Sequence, residues 1–132
     1  MEQKNVAIMG IIVDKLAEGK TLSEAMKEVY TKRTVAIPYS EGWLDCSVLD
    51  LGLSMRTAGA LMRHRVRTIR DVVNYTKKRK ITNIQSLGVV SGIELFEKIL
   101  DYCWTHMTEK EQVSFLVDTV NNNSEYIKPE LL

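Results

Sequence analysis

At three places in the sequence a threonine stands three residues before a carboxylate and opens a run of apolar side chains at helical spacing: Thr21 before Glu24, Thr68 before Asp71, and Thr108 before Glu111. In such a box the threonine hydroxyl takes the backbone N–H of the third helical residue, and the acidic side chain returns to the threonine N–H. Each box therefore fixes a helix start. After Thr21, Leu22, Ala25, Met26 and Val29 share one face of a helix expected to run to about Lys32. After Thr68, Ile69, Val72 and Val73 do the same over a short helix, and after Thr108 the stripe is Val113, Leu116, Val117 and Val120.

The segments between the boxes read the same way. Ile8, Ile12 and Leu16, with Met9 and Val13 beside them, give residues 5 to 18 the rhythm of an amphipathic helix that Gly19 ends, so residues 1–36 form a helical hairpin. Pro38, Ser40 and Gly42 break the rhythm, and residues 37–47 are an irregular connector, with Val35 to Ile37 able to extend. Ser54 caps a helix to about Arg65 with Ala58, Leu61 and Met62 inward, and a short helix is expected over Lys78 to Ile84. Ser86-Leu87-Gly88 makes a tight turn into a longer helix, about Val89 to Trp104, whose apolar face holds Ile93, Phe96, Ile99, Leu100 and Cys103. Asn121 to Ser124 stop the last helix, and the tail beyond is either loosely ordered or docked on a partner. The expectation is an all-α protein.

At 132 residues the protein has the length of one ordinary domain or of a small domain with appended helices. The longest apolar run, Val6 to Val13, is well short of the ~20 residues of a membrane span, and no small-residue cleavage pattern follows it. No membrane role and a cytoplasmic protein are expected. Cys46 and Cys103 stand apart without metal spacing, which suits reduced thiols, and His64 and His106 have no second ligand at the right distance, so no metal is expected. Phosphate-binding loops, dinucleotide glycine patterns, nucleophile elbows and paired carboxylates beside a nucleophile are all missing, so neither catalysis nor a cofactor is expected.

Charge supplies the functional signal. Between Met55 and Lys80 stand Arg56, Arg63, Arg65, Arg67, Arg70, Lys77, Lys78, Arg79 and Lys80 against Asp71 alone, a net of +8, whereas nine basic and sixteen acidic residues give the rest −7. A compact basic segment on a near-neutral protein suits a polyanion, or is a solvated face balanced by the acidic flanks.

Within residues 48–106, two blocks carry a family resemblance. Leu51-Gly52-Leu53-Ser54-Met55-Arg56-Thr57-Ala58, with Leu61, Val66, Thr68, Ile69, Asp71 and Val72 in register after it, and Ser86-Leu87-Gly88-Val89-Val90-Ser91 followed by Glu94, together resemble the C-terminal domain of the bacterial RNA polymerase alpha subunit. The resemblance implies a helix-hairpin-helix module of four to five short helices, flanked here by the N-terminal hairpin and by a C-terminal helix and tail over residues 107–132. It implies that Arg56 enters the DNA minor groove, where negative potential favours an arginine. Gly88 would allow a tight turn and close backbone approach, so that a phosphate sits on the helix opening with Ser86 and Ser91.

The sequence also departs from the family. Gly59 and Ser86 stand where the family has DNA-contacting asparagines, Val89 and Val90 replace hairpin lysines, and Arg65 replaces the glycine of the first turn, which implies a reshaped loop there. Arg63, Arg65, Arg67, Arg70, Lys77, Lys78, Arg79 and Lys80 add cations that the family pattern does not demand. Three readings stay open: a non-enzymatic, transcription-associated DNA-binding accessory protein; a protein-interaction module that mimics the polymerase domain toward a transcription regulator or polymerase subunit; and a homodimer built through the flanking helices.

Overall fold

The computed structural model describes residues 2–84 and 87–132. Its α-helices are α1 (Gln3–Ala17), α2 (Leu22–Val29), α3 (Glu41–Leu44), α4 (Met55–Arg63), α5 (Ile69–Thr76), α6 (Val89–Thr105) and α7 (Glu109–Asn122), joined by short 3-10 turns. Among the described residues there is no strand, only two isolated bridges, so the fold is all-α. All three capping boxes form: Thr21, Thr68 and Thr108 each accept from the third residue's N–H and receive its carboxylate.

The protein divides into two compact units. One comprises Met1–Pro38 with Cys103–Leu132, and the other Tyr39–Tyr102. In the first, α1 packs on α2 and α7, burying Ile8, Ile12, Leu22, Ala25, Met26, Val29, Phe115, Leu116 and Val120. Gly19, at φ 94°, turns α1 into α2 in the left-handed region where a glycine is unstrained. Helix α2 ends at Val29 rather than Lys32, because the backbone there is recruited by the C-terminus: Tyr30 bridges Ile127, Lys128 N–H donates to Val29 O at 2.9 Å and Thr31 N–H to Tyr126 O at 2.8 Å. The tail is thus docked on the protein's own hairpin. On α7 the inward face is Phe115, Leu116, Thr119 and Val120, while Val113 is exposed, a rotation of the expected stripe.

In the second unit the core is Trp43, Leu44, Val48, Leu51, Ala60, Leu61, Val66, Ile69, Val72, Ile84, Leu87, Leu95, Ile99 and Leu100. The α4 stripe is also rotated: Thr57, Ala60 and Leu61 face inward, and Met62 is exposed. Helix α6 places Leu95, Ile99 and Leu100 inward, with Ile93 and Phe96 half-buried. The expected helix over Lys78 to Ile84 is a single 3-10 turn, Ile81–Asn83, after an extended Lys80. Before α4, Val48 N–H donates to Arg67 O and Ile69 N–H to Cys46 O, at 2.9 and 3.1 Å, which tie the connector to the start of α5.

Candidate nucleic-acid interface

Ser54 caps α4: its Oγ accepts the Thr57 N–H at 3.3 Å. Arg56 follows, exposed, in the first turn of α4, where the helix dipole disfavours a cation. Gly88 precedes α6, its carbonyl accepting from Gly92 N–H at 3.0 Å. The two helix openings share one cleft of about 580 Å³, lined by Ser54, Arg56, Gly88, Val89, Val90, Ser91 and Glu94.

Glu94 decides how much of that cleft an anion can use. Its Oε2 accepts from Ser54 N–H at 2.7 Å, and its Oε1 from Thr57 Oγ1 at 2.6 Å and Ser54 Oγ at 3.1 Å. Burial pushes its carboxyl up, but the hydrogen bonds from Thr57 and Ser54 and the charge of Lys98 outweigh that and hold it below the usual carboxylate range. The opening of α4 is therefore already occupied by a carboxylate.

Gly88 has no left-handed backbone, and a Cβ added there meets open space. The tight-turn role expected of it is thus not required by its conformation. Ser86 lies outside the described residues, and Ser91 is half-buried on the cleft wall.

Arg65 sits at φ 60°, the left-handed conformation that a glycine adopts without strain. Its side chain lines a second cleft, of about 360 Å³, with Lys78 and Arg79. Arg63, Arg67, Lys77 and Lys80 are exposed and line neither of these two clefts. Arg63 lies back along α4: a Cβ at Gly59 would meet its Nη1 at 3.3 Å, so the missing side chain at 59 leaves room for that guanidinium.

Arg70 is the cation the segment keeps for itself. It donates to Glu41 at 2.7 Å and to Asp45 at 2.9 Å, and the Arg70 hydrogen bond and charge hold the Asp45 carboxyl low. The geometry thus brings Arg56, Gly88 and Ser91 together, and separately Arg65, Lys78 and Arg79. The role of Glu94 at the opening of α4 has no local signal in the sequence, because the groups it joins are 40 residues apart. Among the described residues no three His, Cys, Asp or Glu side chains are grouped to hold a metal ion, and no helix is long and apolar enough to cross a membrane.

The family model for the C-terminal domain of the bacterial RNA polymerase alpha subunit matches residues 40–101. This segment is an alpha C-terminal-domain-like module. The match covers a little under half of the sequence and all but the end residues of the unit Tyr39–Tyr102. The match supports, in general terms, a transcription-associated DNA-binding module. No curated protein and no solved structure gives a significant match. The alpha C-terminal-domain-like module therefore holds Arg56, both clefts and the whole basic segment, and the helices α1, α2 and α7 belong to the other unit.

Proposed function

We propose that the protein is a non-enzymatic DNA-binding accessory factor of transcription. Arg56 enters the minor groove, the opening of α6 at Gly88 and Ser91 takes a backbone phosphate, and Arg63, Arg65, Arg67, Lys77, Lys78, Arg79 and Lys80 add electrostatic contacts, with Ser86 as a further contact to DNA. One observation carries this reading: Arg56 is exposed, forms no ion pair among the described residues, and lines the same cleft as the first turn of α6. Fluorescence anisotropy on A·T-rich and G·C-rich duplexes across a salt series, with wild type beside Arg56→Ala, tests it. A steep salt dependence is expected, with the slope of log affinity against log salt reduced by ~0.9 for each phosphate contact removed. An A·T preference lost in Arg56→Ala supports the minor groove; an unchanged affinity in that variant overturns the assignment of Arg56.

A second reading is favoured by the apolar side chains beside the same cleft. Val89 is 69% exposed and Val90 83%, where the family has lysines, and Met55 is 93% exposed. Such a surface suits a protein partner, a transcription regulator or a polymerase subunit. Retention of purified RNA polymerase by the immobilised protein after nuclease treatment, lost on Val90→Lys, supports it; binding that disappears with nuclease supports DNA instead. Self-association through the flanking helices is tested by light scattering, a monomer mass removing it.

A further inference from the structure

The second cleft holds more than a row of cations. Its wall comprises His64, Arg65, Asn74, Tyr75, Lys78 and Arg79 with Val66 and Asp71, and its volume of about 360 Å³ lies in the range of small-molecule sites. Arg65 reaches it from a left-handed backbone, a conformation that a non-glycine residue keeps at a cost in free energy and that often marks a ligand site. Among the described residues, Arg65, Lys78 and Arg79 form no ion pair. Asp71, the one carboxylate on the wall, is engaged: its Oδ2 accepts from the N–H of Arg67 at 2.9 Å and of Thr68 at 3.1 Å.

The wall also carries groups that suit a base. The Arg79 guanidinium lies 5.0 Å from the centre of the Tyr75 ring, and nucleobases stack both on aromatic rings and on guanidinium planes. Asn74 offers an amide donor and acceptor on one side chain. His64 Nδ1 is 2.9 Å from the Ala60 carbonyl, so Nδ1 carries a proton, and in that tautomer Nε2 is an acceptor.

We propose that this cleft binds one nucleotide unit, its phosphate on Arg65, Lys78 and Arg79 and its base against the Tyr75–Arg79 pair. In duplex DNA the bases are stacked inside, so a duplex engages only the cationic half of the cleft; a single strand or a free nucleotide engages both halves. The proposal does not depend on the Arg56 cleft and stands if Arg56 makes no contact with DNA.

The test titrates the full-length protein into a fluorescein-labelled oligothymidine strand and into a labelled duplex, at equal ionic strength, with wild type, Tyr75→Leu, Tyr75→Phe and Arg56→Ala. Tyr75→Leu is expected to weaken single-strand binding about tenfold and to leave duplex binding within about twofold, with an unchanged salt slope, because stacking on one aromatic is lost and no charge is. Tyr75→Phe retains the ring and the affinity. Arg56→Ala is expected to weaken duplex binding more than single-strand binding, the reverse of Tyr75→Leu. Should Tyr75→Leu fail to melt cooperatively, Asn74→Ala, an exposed position, serves instead, with selective loss of single-strand affinity expected. Displacement of the labelled strand by thymidine monophosphate identifies a free nucleotide as a ligand, and displacement only by unlabelled strand identifies the strand; both support the site. Equal loss on strand and duplex, no loss in Tyr75→Leu, or no single-strand binding at low salt overturns it.

Discussion

Thr57 Oγ1 donates to Glu94 Oε1 at 2.6 Å, the shortest of three hydrogen bonds by which a carboxylate on α6 closes the opening of α4. Thr57 has no exposed surface, so removing Glu94 takes away the short charged acceptor of a buried hydroxyl and leaves it only the Ser54 Oγ contact at 3.1 Å, at a cost of about 1–3 kcal/mol. Glu94→Ala is expected to lower the urea midpoint by that free energy divided by an unchanged m-value, whereas Thr57→Val, which removes the hydroxyl and retains the volume, costs less. Equal midpoints for wild type and Glu94→Ala would show that the clamp adds nothing to stability.

The same carboxylate makes the module acid-sensitive. The Glu94 folded-state pKa is lowered, so its contribution is fully present above the ordinary carboxylate value of 4.5 and is lost as pH falls from there through the lowered folded value. Glu94→Gln therefore gives a flatter fall of stability below about pH 4.5 than wild type, read by denaturant titration from pH 6 down to pH 3. Because Glu94 lines the cleft with Arg56, Glu94→Gln is also expected to strengthen duplex binding at neutral pH, by removing a negative charge that repels phosphate. Weaker binding in Glu94→Gln would mean that positioning α4 matters more than the repulsion.

The contrast between this clamp and the capping boxes shows what a sequence discloses. Thr21 and Glu24, Thr68 and Asp71, and Thr108 and Glu111 are three residues apart, and a helix start needs nothing further, so all three were legible and all three form. Helix ends and phases depend on distant partners. The end of α2 at Val29 follows from the bridge of Tyr30 to Ile127, and the inward turn of Phe115 in place of Val113 follows from how α7 meets α1. The basic segment was visible as composition, but its division was not. Arg70 is neutralised by Glu41 and Asp45, more than 20 residues earlier, while Arg65 and Arg79 meet only because the backbone turns between α4 and α5.

Arg65 offers a direct separation of fold from function. A non-glycine side chain at φ 60° costs roughly 1 kcal/mol relative to glycine, so Arg65→Gly is expected to raise thermal stability by a few degrees. The same change removes a cation from the second cleft, and the salt slope of nucleic-acid binding is expected to fall by ~0.9. A variant that is more stable and binds less well would mean that the strained turn is kept for the ligand. One that is no more stable would mean that neighbouring contacts relieve the strain.

In the other unit the buried polar residue to remove is Asn123, which has no exposed surface. Its Nδ2 donates to Ala36 O and Thr119 O, both at 2.7 Å, and its Oδ1 accepts from Ala36 N–H at 3.0 Å. Asn123→Ala leaves the Ala36 amide group unpaired and opens a small void, a loss of about 2–4 kcal/mol. DNA affinity is expected to persist at temperatures where the variant is folded, since every proposed contact lies in the unit Tyr39–Tyr102. Loss of affinity in a folded Asn123→Ala would show that the flanking helices take part in binding.

Arg70 and Arg56 give a matched pair of charge deletions within one basic segment. Arg70 has Glu41 and Asp45 at hydrogen-bonding distance and its guanidinium is held more firmly protonated by them, so it brings almost no net charge to an approaching phosphate. Arg70→Ala should leave duplex affinity within about twofold and the salt slope unchanged, because no condensed counterion is released at a cation already paired with protein carboxylates. The variant frees Glu41 and Asp45, and any residual loss of affinity should be recovered in Arg70→Ala combined with Asp45→Asn. Arg56→Ala should reduce both affinity and slope. A fall of the slope in Arg70→Ala as large as in Arg56→Ala would mean that DNA breaks the Arg70 ion pairs to reach it, and that the interface extends over α3 and the start of α5.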